Sequence, residues 1–417
     1  MASRFMLLII LLITACSTSI FSQESGGRSY LFGGWDGSRS DLEDDGFTIE
    51  AVYTGEIWGI ASGPVDKKAI YCDNWDIIFN FDMEKLVGWD GATLQAYFLG
   101  NYGGVPGEVA GMTQGISNIA APNTFKLFNL FYEQLLFNDD LSIMIGTIDL
   151  NTQFDTKVFA SLFINPSHGI GVDWAQSGEN GPSIFPTASL GLRLRFSPIE
   201  HIFVQAIVLD GVPGDPDNPY GTHIILDPDD GLLVSAKFCY VTGKCCEISG
   251  LLQDLEKAYT KFGVGFWYYT DNYKYIIDHI TNWGFYAIME QELFAEKLDA
   301  GQGLGLYARI GVADDLENQM NYFIGGGLVY TGLFSGRDED QIGIAIASGH
   351  NSYLYRNSRR MAGEIVDPFE HNLELTYKYQ LTPYLALQPN IQYCISPTDL
   401  EAPAEVLVGG MRLEVVF

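Results

Sequence analysis

Apolar and polar residues alternate along much of this chain, and the last segment shows the pattern clearly. GGMRLEVVF alternates apolar with charged residues: Met411, Leu413, Val415 and Phe417 with Arg412 and Glu414. A period of two indicates a β-strand with one apolar and one polar face. The same alternation occurs in HNLELTYKYQL, YLALQPNIQY, TIEAVYTGEIW, NWDIIFNFD and LGLRLRF. The chain is therefore predicted to be all-β.

Counting such segments gives about sixteen strands over the whole chain. They start near Thr48, Tyr71, Gly91, Phe125, Leu141, Phe185, His201, Gly231, Tyr259, Thr281, Gly303, Asn321, Asp340, Glu370, Tyr384 and Ala404. The alternation is weakest between about residues 221 and 240.

The connections between these segments are sorted by length. Short turns (NDD, SPIE, SGRD and LTP) follow even-numbered strands, and long connections (102–124, 150–184, 211–222 and 350–369) follow odd-numbered strands. Two even connections, VTGKCCEISGLLQDLEK and 294–302, depart from this rule. Short periplasmic turns and long extracellular loops are typical of an outer-membrane barrel. We therefore predict a transmembrane antiparallel β-barrel of about sixteen strands.

In lipid, such a barrel must be closed and must turn its apolar face outward, so the polar face lines the lumen. With about sixteen strands, the lumen is wide enough for a water-filled channel. The last strand is expected to pair with the Thr48 strand, which removes both sheet edges. Phe417 then lies at the periplasmic rim, where we expect it to be the assembly signal for the barrel-assembly machinery.

The first residues, MASRFMLLIILLITACSTSIFSQ, combine an early Arg4 with a short apolar run, which is typical of an export signal. We predict a signal peptide over 1–22, cleaved after Ser22. The alternative is a lipoprotein signal, because ITAC resembles a lipoprotein box that would leave Cys16 acylated. Beyond it, the sequence contains no apolar run of about 18 residues that could form a transmembrane helix.

Residues 23–47 are predicted to form a periplasmic segment, and 48–417 the barrel. Within the segment, Ser38 or Ser40 is expected to cap a short helix over DLEDD, and Gly46 to end it.

Composition narrows the function further. The formal net charge is −29, which argues against nucleic-acid binding because phosphate contacts need clustered cations.

Cys239 with Cys245 or Cys246 could close a small disulfide loop, or these cysteines are incidental. No cofactor or metal motif is present: the acidic turns around Asp215, Asp217, Asp227 and Asp229 do not fit a calcium loop and are expected to be exposed turns.

Several segments in order, including FGGWDGSRSDLEDDGFTIEAVYTGEIWGIASG, GTIDLNTQFDTKVFASLFINPSHG, FVQAIVLDGVPGDPDNPYG, LQPNIQY and GGMRLEVVF, resemble the carbohydrate-selective porins of the OprB type. The resemblance implies a sixteen-stranded outer-membrane barrel in a Gram-negative-type bacterium. It also implies passive diffusion of mono- and small oligosaccharides. The expected partners are glucose-like sugars or small oligosaccharides and outer-membrane lipid, with a monomer or homotrimer as the assembly.

A sugar-selective channel needs paired donors and acceptors, with aromatic faces for stacking. In the loop after the fifth strand, the candidates are Asp149, Asn165 and Trp174. On the wall, alternation turns Glu133, Arg193, Arg195, Arg309 and Arg412 inward. We expect the cations to stand opposite Glu50, Glu56, Asp76 and Asp82, which would produce a transverse field. The alternative for each is that it only keeps the lumen wet or pairs with a neighbouring charge.

Three other functions remain open. The −29 charge fits a general or cation-preferring porin if acidic residues line the constriction. A plugged structural or adhesive barrel would use its long loops instead. An enzyme is not expected, because no GxSxG or HExxH motif is present. A motif search would miss only a hydrolase whose catalytic triad is dispersed along the sequence.

Overall fold

The computed structural model describes residues 29–224, 226–243, 258–270, 282–296 and 301–417. The predicted signal peptide, Cys16, Cys245 and Cys246 lie outside these ranges. The described residues form sixteen strands. They are β1 Phe47–Ser62, β2 Ala69–Asp82, β3 Ala92–Gly103, β4 Thr124–Leu136, β5 Leu141–Ile148, β6 Ser189–Ile199, β7 Ile202–Asp210, β8 Leu232–Thr242, β9 Thr260–Tyr269, β10 Trp283–Ala295, β11 Gly303–Ala313, β12 Met320–Thr331, β13 Gln341–Asn351, β14 Phe369–Thr382, β15 Leu385–Ile395 and β16 Glu405–Val416.

These strands close into one antiparallel barrel in which each strand pairs with its neighbours in sequence and β1 pairs with β16. Closure aligns Glu56 with Arg412. The predicted strand starts agree closely, and the largest difference is at β6, which begins at Ser189 instead of near Phe185. There the chain is still turning, since Ile184 and Thr187 form an isolated bridge. The predicted barrel is confirmed.

The two faces of each strand follow the sequence alternation. On β6, Leu192, Leu194 and Phe196 are 41%, 43% and 46% exposed, whereas Arg193 between them is 1% exposed. Similar exposed apolar side chains occur around the barrel, among them Val204, Phe238, Phe266, Ile310, Ile344 and Leu375. An outward apolar belt with an inward polar face is the arrangement that a bilayer requires.

A short helix, α1 (Ser38–Asp44), precedes the barrel. Its N-cap residue is Gly37, without a side-chain cap bond, so the predicted capping by Ser38 or Ser40 is wrong. The Ser38 backbone is already inside the helix and therefore cannot act as the cap. Gly46 follows the helix with φ +96°, a conformation that favours glycine. Arg39 then donates to the Phe417 carbonyl at 3.1 Å and to the Ile49 carbonyl at 2.6 Å, joining the helix to the first strand and to the residue that follows the last strand.

The other helices lie in the connections. They are α2 Met83–Val87, α3 Pro106–Ala110, α4 Val172–Ala175 and α5 Tyr353–Met361, together with 3₁₀ turns at Trp35–Gly37, Leu150–Thr152, Phe159–Leu162 and Pro166–His168. No helix in the described part of the chain is long and apolar enough to cross a membrane.

The connections are sorted by barrel end, as predicted. The end with 104–123, 149–188, 211–231 and 352–368 is called here the long-loop end, and the end with 137–140, 200–201 and 383–384 the short-turn end. The two predicted exceptions fall partly outside the described residues, at 244–257 and 297–300.

Cys72, Cys239 and Cys394 are buried free thiols. The disulfide loop from Cys239, one of the two alternatives given above, falls outside the described residues. Its two possible partners, Cys245 and Cys246, lie outside them.

Candidate functional site

Residues 149–188, called here the constriction loop, fold back into the barrel. The loop is compact because side chains cap its turns. The Asp149 carboxylate accepts the Asn151 N–H at 2.8 Å, and the Asn165 side-chain oxygen accepts the Ser167 N–H at 3.0 Å. Asp and Asn are preferred at such positions because their oxygens reach the next free N–H groups.

Buried carboxylates on the barrel wall hold this loop. Glu374 on β14 accepts the N–H groups of Ile164 and Asn165 at 2.7 and 3.0 Å. Glu290 on β10 accepts the Phe159 N–H at 2.8 Å. A buried N–H without a partner is costly, so these acidic side chains replace the water that an exposed loop would bind.

The loop 104–123 is fixed by the same chemistry. Glu370 on β14 accepts the N–H groups of Thr113, Gln114 and Thr398 at 3.1, 2.8 and 2.8 Å. This loop also contacts the constriction loop directly, because the Asn165 amide donates to the Gly115 carbonyl at 2.9 Å. The two loops therefore form one packed body inside the barrel.

A buried ionic cluster binds residues 155–173 of the constriction loop to strand β11. Asp155 lies 2.6 Å from the Lys157 ammonium and 2.5 Å from the Arg309 guanidinium, which also contacts Asp173 at 2.5 Å. Burial alone would raise the pKa of the Asp155 carboxyl, but Arg309 and Lys157 hold it below its ordinary value. Burial does raise the pKa of Asp173. Arg309 is therefore a loop anchor with its guanidinium fully enclosed.

Two predicted sugar contacts are corrected by this packing. Trp174 is 0% exposed and stacks between Trp267 and Tyr286, with ring centroids 6.1 and 5.2 Å apart. Asn165 is also 0% exposed. Neither offers a surface to the channel, because the loop turns these side chains toward the wall and toward loop 104–123.

Asp149 has a similar structural position. It is 8% exposed and caps the first turn of the loop. Burial raises the pKa of its carboxyl to about 7. The three loop residues predicted to contact a sugar, Asp149, Asn165 and Trp174, therefore stabilise the folded loop instead.

The expected opposition of charges is also corrected. Arg412 and Glu56 face each other on adjacent strands and pair at 2.5 Å, because barrel closure makes them neighbours instead of placing them across the lumen. The Trp58 indole donates to the same carboxylate at 2.6 Å. Asp76 accepts a hydrogen bond from the Tyr97 hydroxyl. The Glu56 and Asp76 carboxylates therefore bind neighbouring side chains of the barrel wall.

A cavity of about 600 Å³ remains between the constriction loop and strands β3 to β9. Its wall side is lined by Thr93, Phe131, Glu133, Leu135, Met144, Arg193, Arg195, Phe203, Gln205, Lys237 and Lys261. Its loop side is lined by Asn151, Thr152, Gln153, Thr156, Lys157, Ala160, Ser161 and Gly169. Three predicted wall residues, Glu133, Arg193 and Arg195, thus meet at one cavity.

Two of these three residues form a tight group. Arg193 lies 2.7 Å from the Glu133 carboxylate and donates to the Ser142 hydroxyl at 2.5 Å. The Ser142 hydroxyl in turn donates to Glu133 at 2.5 Å. Arg195, two residues along the same face, makes no ion pair or hydrogen bond with another described residue. The Arg195 side chain therefore lines the cavity without a partner among the described residues.

Sequence reasoning missed several lining residues. Lys237 donates to the Gln153 carbonyl and lies 5.3 Å from the ring centroids of Phe154 and Phe203. Lys261 donates to the Thr156 carbonyl at 2.7 Å. Their alternation with apolar neighbours in VSAKFCYV and YTKFGV was the available signal. Lys237 lies in the stretch where the alternation is weakest.

The acidic turns behave as expected. The Asp217 N–H donates to the Asp215 carboxylate at 2.9 Å, and the Asp229 N–H to the Asp227 carboxylate at 3.0 Å. Near them, Asp210, His223 and Asp230 bring possible metal-ligating atoms within 4.8 Å of one another. The His223 Nε2 atom already forms a hydrogen bond with the Asp210 carboxylate at 3.1 Å.

Comparisons with known proteins agree with this architecture. The chain is 22% identical to Porin B of Pseudomonas aeruginosa over 94% of its length and 92% of that protein. It is 22% identical to the putative porin QuiX of Acinetobacter baylyi, covering 94% of each chain. A high-pH structure of Pseudomonas putida OprB superimposes with a TM-score of 0.82 at 21% identity, covering 95% of this chain and 100% of that one.

Residues 66–417 match the family described as carbohydrate-selective porin, OprB family. This match covers most of the chain, including all strands from β2 onward. The chain therefore belongs to the OprB family of carbohydrate-selective porins.

Proposed function

We propose that this protein lets mono- and small oligosaccharides diffuse passively across the outer membrane of a Gram-negative-type bacterium, through the cavity beside the constriction loop. The observation that carries the proposal is this cavity of about 600 Å³, which lies in the lumen and is lined by hydrogen-bonding side chains. Cavities of roughly 300–1,000 Å³ accommodate small ligands.

The chemistry of the lining suits sugars. Hydroxyl groups require donors and acceptors, which Arg195, Gln205 and Thr156 supply, and Phe131 adds an apolar surface. The constriction loop narrows the barrel so that a solute must pass these groups. A wide lumen without such a loop would not discriminate between solutes of the same size.

A general cation-preferring porin is the second candidate, because the formal net charge is −29. The basic cavity lining argues against it, since a cation would meet Arg193, Arg195 and Lys237 at the narrow part. We infer a transporter without catalytic activity, since porins act by diffusion alone.

The remaining proposals concern processing and assembly. We propose that residues 1–22 are the export signal, that 23–47 is a periplasmic segment and that 48–417 forms the barrel. The short-turn end would then face the periplasm. The barrel-assembly machinery is the proposed partner for insertion, and the protein is proposed to act as a monomer or homotrimer.

The test is ion conductance of the purified protein in planar bilayers, titrated with glucose and with a maltooligosaccharide. We expect saturable block of the current. A polyethylene glycol too large to enter serves as the viscosity control. Open conductance without block and with strong cation preference would indicate a general porin, and no conductance would indicate a plugged structural or adhesive barrel.

A further inference from the structure

The cavity has the opposite charge to the protein as a whole. Among the described residues that line it, five are cationic and one is acidic: Lys157, Arg193, Arg195, Lys237 and Lys261 against Glu133. The chain carries a formal charge of −29. A cleft lined by one sign of charge concentrates solutes of the other sign. Distant surface carboxylates counteract this only weakly, because salt screens charges beyond about 8 Å at physiological ionic strength.

Four of these five cations already have polar partners. Lys157 pairs with Asp155 at 2.6 Å, Arg193 with Glu133 at 2.7 Å and Lys261 with Glu290 at 3.6 Å, and the Lys237 ammonium donates to the Gln153 carbonyl. Arg195 differs, because no described carboxylate lies within ion-pair distance of its guanidinium and it makes no hydrogen bond with a described residue. Its Nε is shielded from solvent and unbonded. Arg193 lies two positions away on the same inward face, but its charge is balanced by Glu133, so Arg195 is the guanidinium on this face that has no ion pair with a described residue.

The strand register places three of the lining residues in one row across β6, β7 and β8. Arg195 on β6 is aligned with Gln205 on β7, and Gln205 is aligned with Lys237 on β8. Because adjacent strands are about 4.8 Å apart, Arg195 and Lys237 stand on backbones roughly 10 Å apart. Gln205 lies between them with its amide bonded to the Gln153 carbonyl at 3.1 Å. The row offers a guanidinium at one end and hydrogen-bonding groups beyond it.

From this geometry we propose that the cavity prefers sugars that carry a carboxylate, such as uronic acids, over neutral sugars. This inference rests on the proposed function. The carboxylate binds the Arg195 guanidinium through two parallel hydrogen bonds, the geometry that this planar group favours. The ring hydroxyls then extend along the row toward Gln205 and Lys237. A neutral sugar makes only the hydroxyl contacts and leaves the charge on Arg195 unmatched.

The experiment compares half-blocking concentrations of glucuronate, glucuronamide and glucose for the current through the channel in planar bilayers. Glucuronamide has the same ring with a neutral amide in place of the carboxylate. We expect glucuronate to block at about tenfold lower concentration than glucuronamide, because a charge-assisted pair contributes about that much affinity. In Arg195→Gln the half-blocking concentrations of glucuronate and glucuronamide are expected to differ by less than about threefold. Block by glucose should weaken as well, because its hydroxyl groups also use Arg195.

Two variants control the result. Arg360→Gln removes the same charge from the exposed helix α5 at the long-loop end, outside the cavity, and should keep the preference. Arg195→Lys keeps the charge without the planar fork and should recover part of it. Heat-modifiable migration in gels establishes that each barrel has folded.

The outcomes separate the two proposals. Equal block by glucuronate and glucuronamide in the unaltered protein, or a preference that survives Arg195→Gln, would overturn the carboxylate inference and leave the porin proposal standing. If no sugar of either kind blocks an open channel, both proposals fail.

Discussion

At the scale of single residues, an inward position does not define a role. Arg193, Arg195 and Arg309 all face the lumen, yet Arg309 is enclosed by Asp155 and Asp173 and Arg193 is paired with Glu133. Only the side-chain contacts distinguish a loop anchor from a solute contact. Arg193 is intermediate, because it is paired within the barrel wall and also lines the cavity.

Arg193→Ala should weaken block of the current by glucose by several-fold. The substitution removes a cation from the cavity and leaves Glu133 without its ion-pair partner, and loss of a charged hydrogen-bond partner costs about 1–3 kcal/mol. The measurement is the half-blocking glucose concentration in planar bilayers, with Arg360→Ala as the control. Unchanged block would remove Arg193 from the sugar path.

At the scale of elements, the constriction loop depends on wall residues distant in sequence. Arg309 and Asp155 are 154 positions apart, and Glu374 and Ile164 are 210 positions apart. The loop therefore takes its position only when the barrel has closed. A buried ion pair is sensitive to removal of one partner, because the other charge stays buried without compensation.

Arg309→Met should release the constriction loop and raise single-channel conductance and current noise. Loss of one partner of a buried pair costs about 3–5 kcal/mol, here at Asp155 and Asp173. The effect should diminish as pH falls. Without the guanidinium, burial raises the pKa of Asp173, which has no other cationic partner among the described residues, whereas Asp155 keeps its ion pair with Lys157. Protonation of Asp173 then removes the unpaired charge and favours the closed loop. Conductance recorded between pH 7 and pH 5, with Arg360→Met as the control, tests this; unchanged conductance at every pH would exclude Arg309 as an anchor.

At the scale of the whole molecule, the first and last strands close the barrel. The Phe417 N–H donates to the Ala51 carbonyl at 2.9 Å. Its ring packs on Phe32 and Trp75 with centroids 5.3 and 5.7 Å apart. The last residue thus joins β1, β2 and the segment before the barrel, at the short-turn end.

Phe417→Ala should reduce the fraction of folded barrel in membranes more strongly than Leu413→Ala. The terminal ring contacts both the N-terminal segment and β2, and it is the proposed assembly signal, whereas Leu413 is an ordinary apolar residue of β16. Heat-modifiable migration of membrane-extracted protein gives the folded fraction. Normal insertion of the Phe417 variant would contradict the proposed signal.

The sequence alone determined the strands, their two faces, the closure and the sorting of connections. Each of these follows from a local period of two or from loop lengths, so Leu192, Arg193 and Leu194 could be assigned to their faces without a structure. Tertiary structure decided which inward charges are paired and how the constriction loop folds. Trp174 and Asn165 became buried anchors, and Arg195 stayed open to the cavity, because these positions depend on contacts between segments that only the closed barrel brings together.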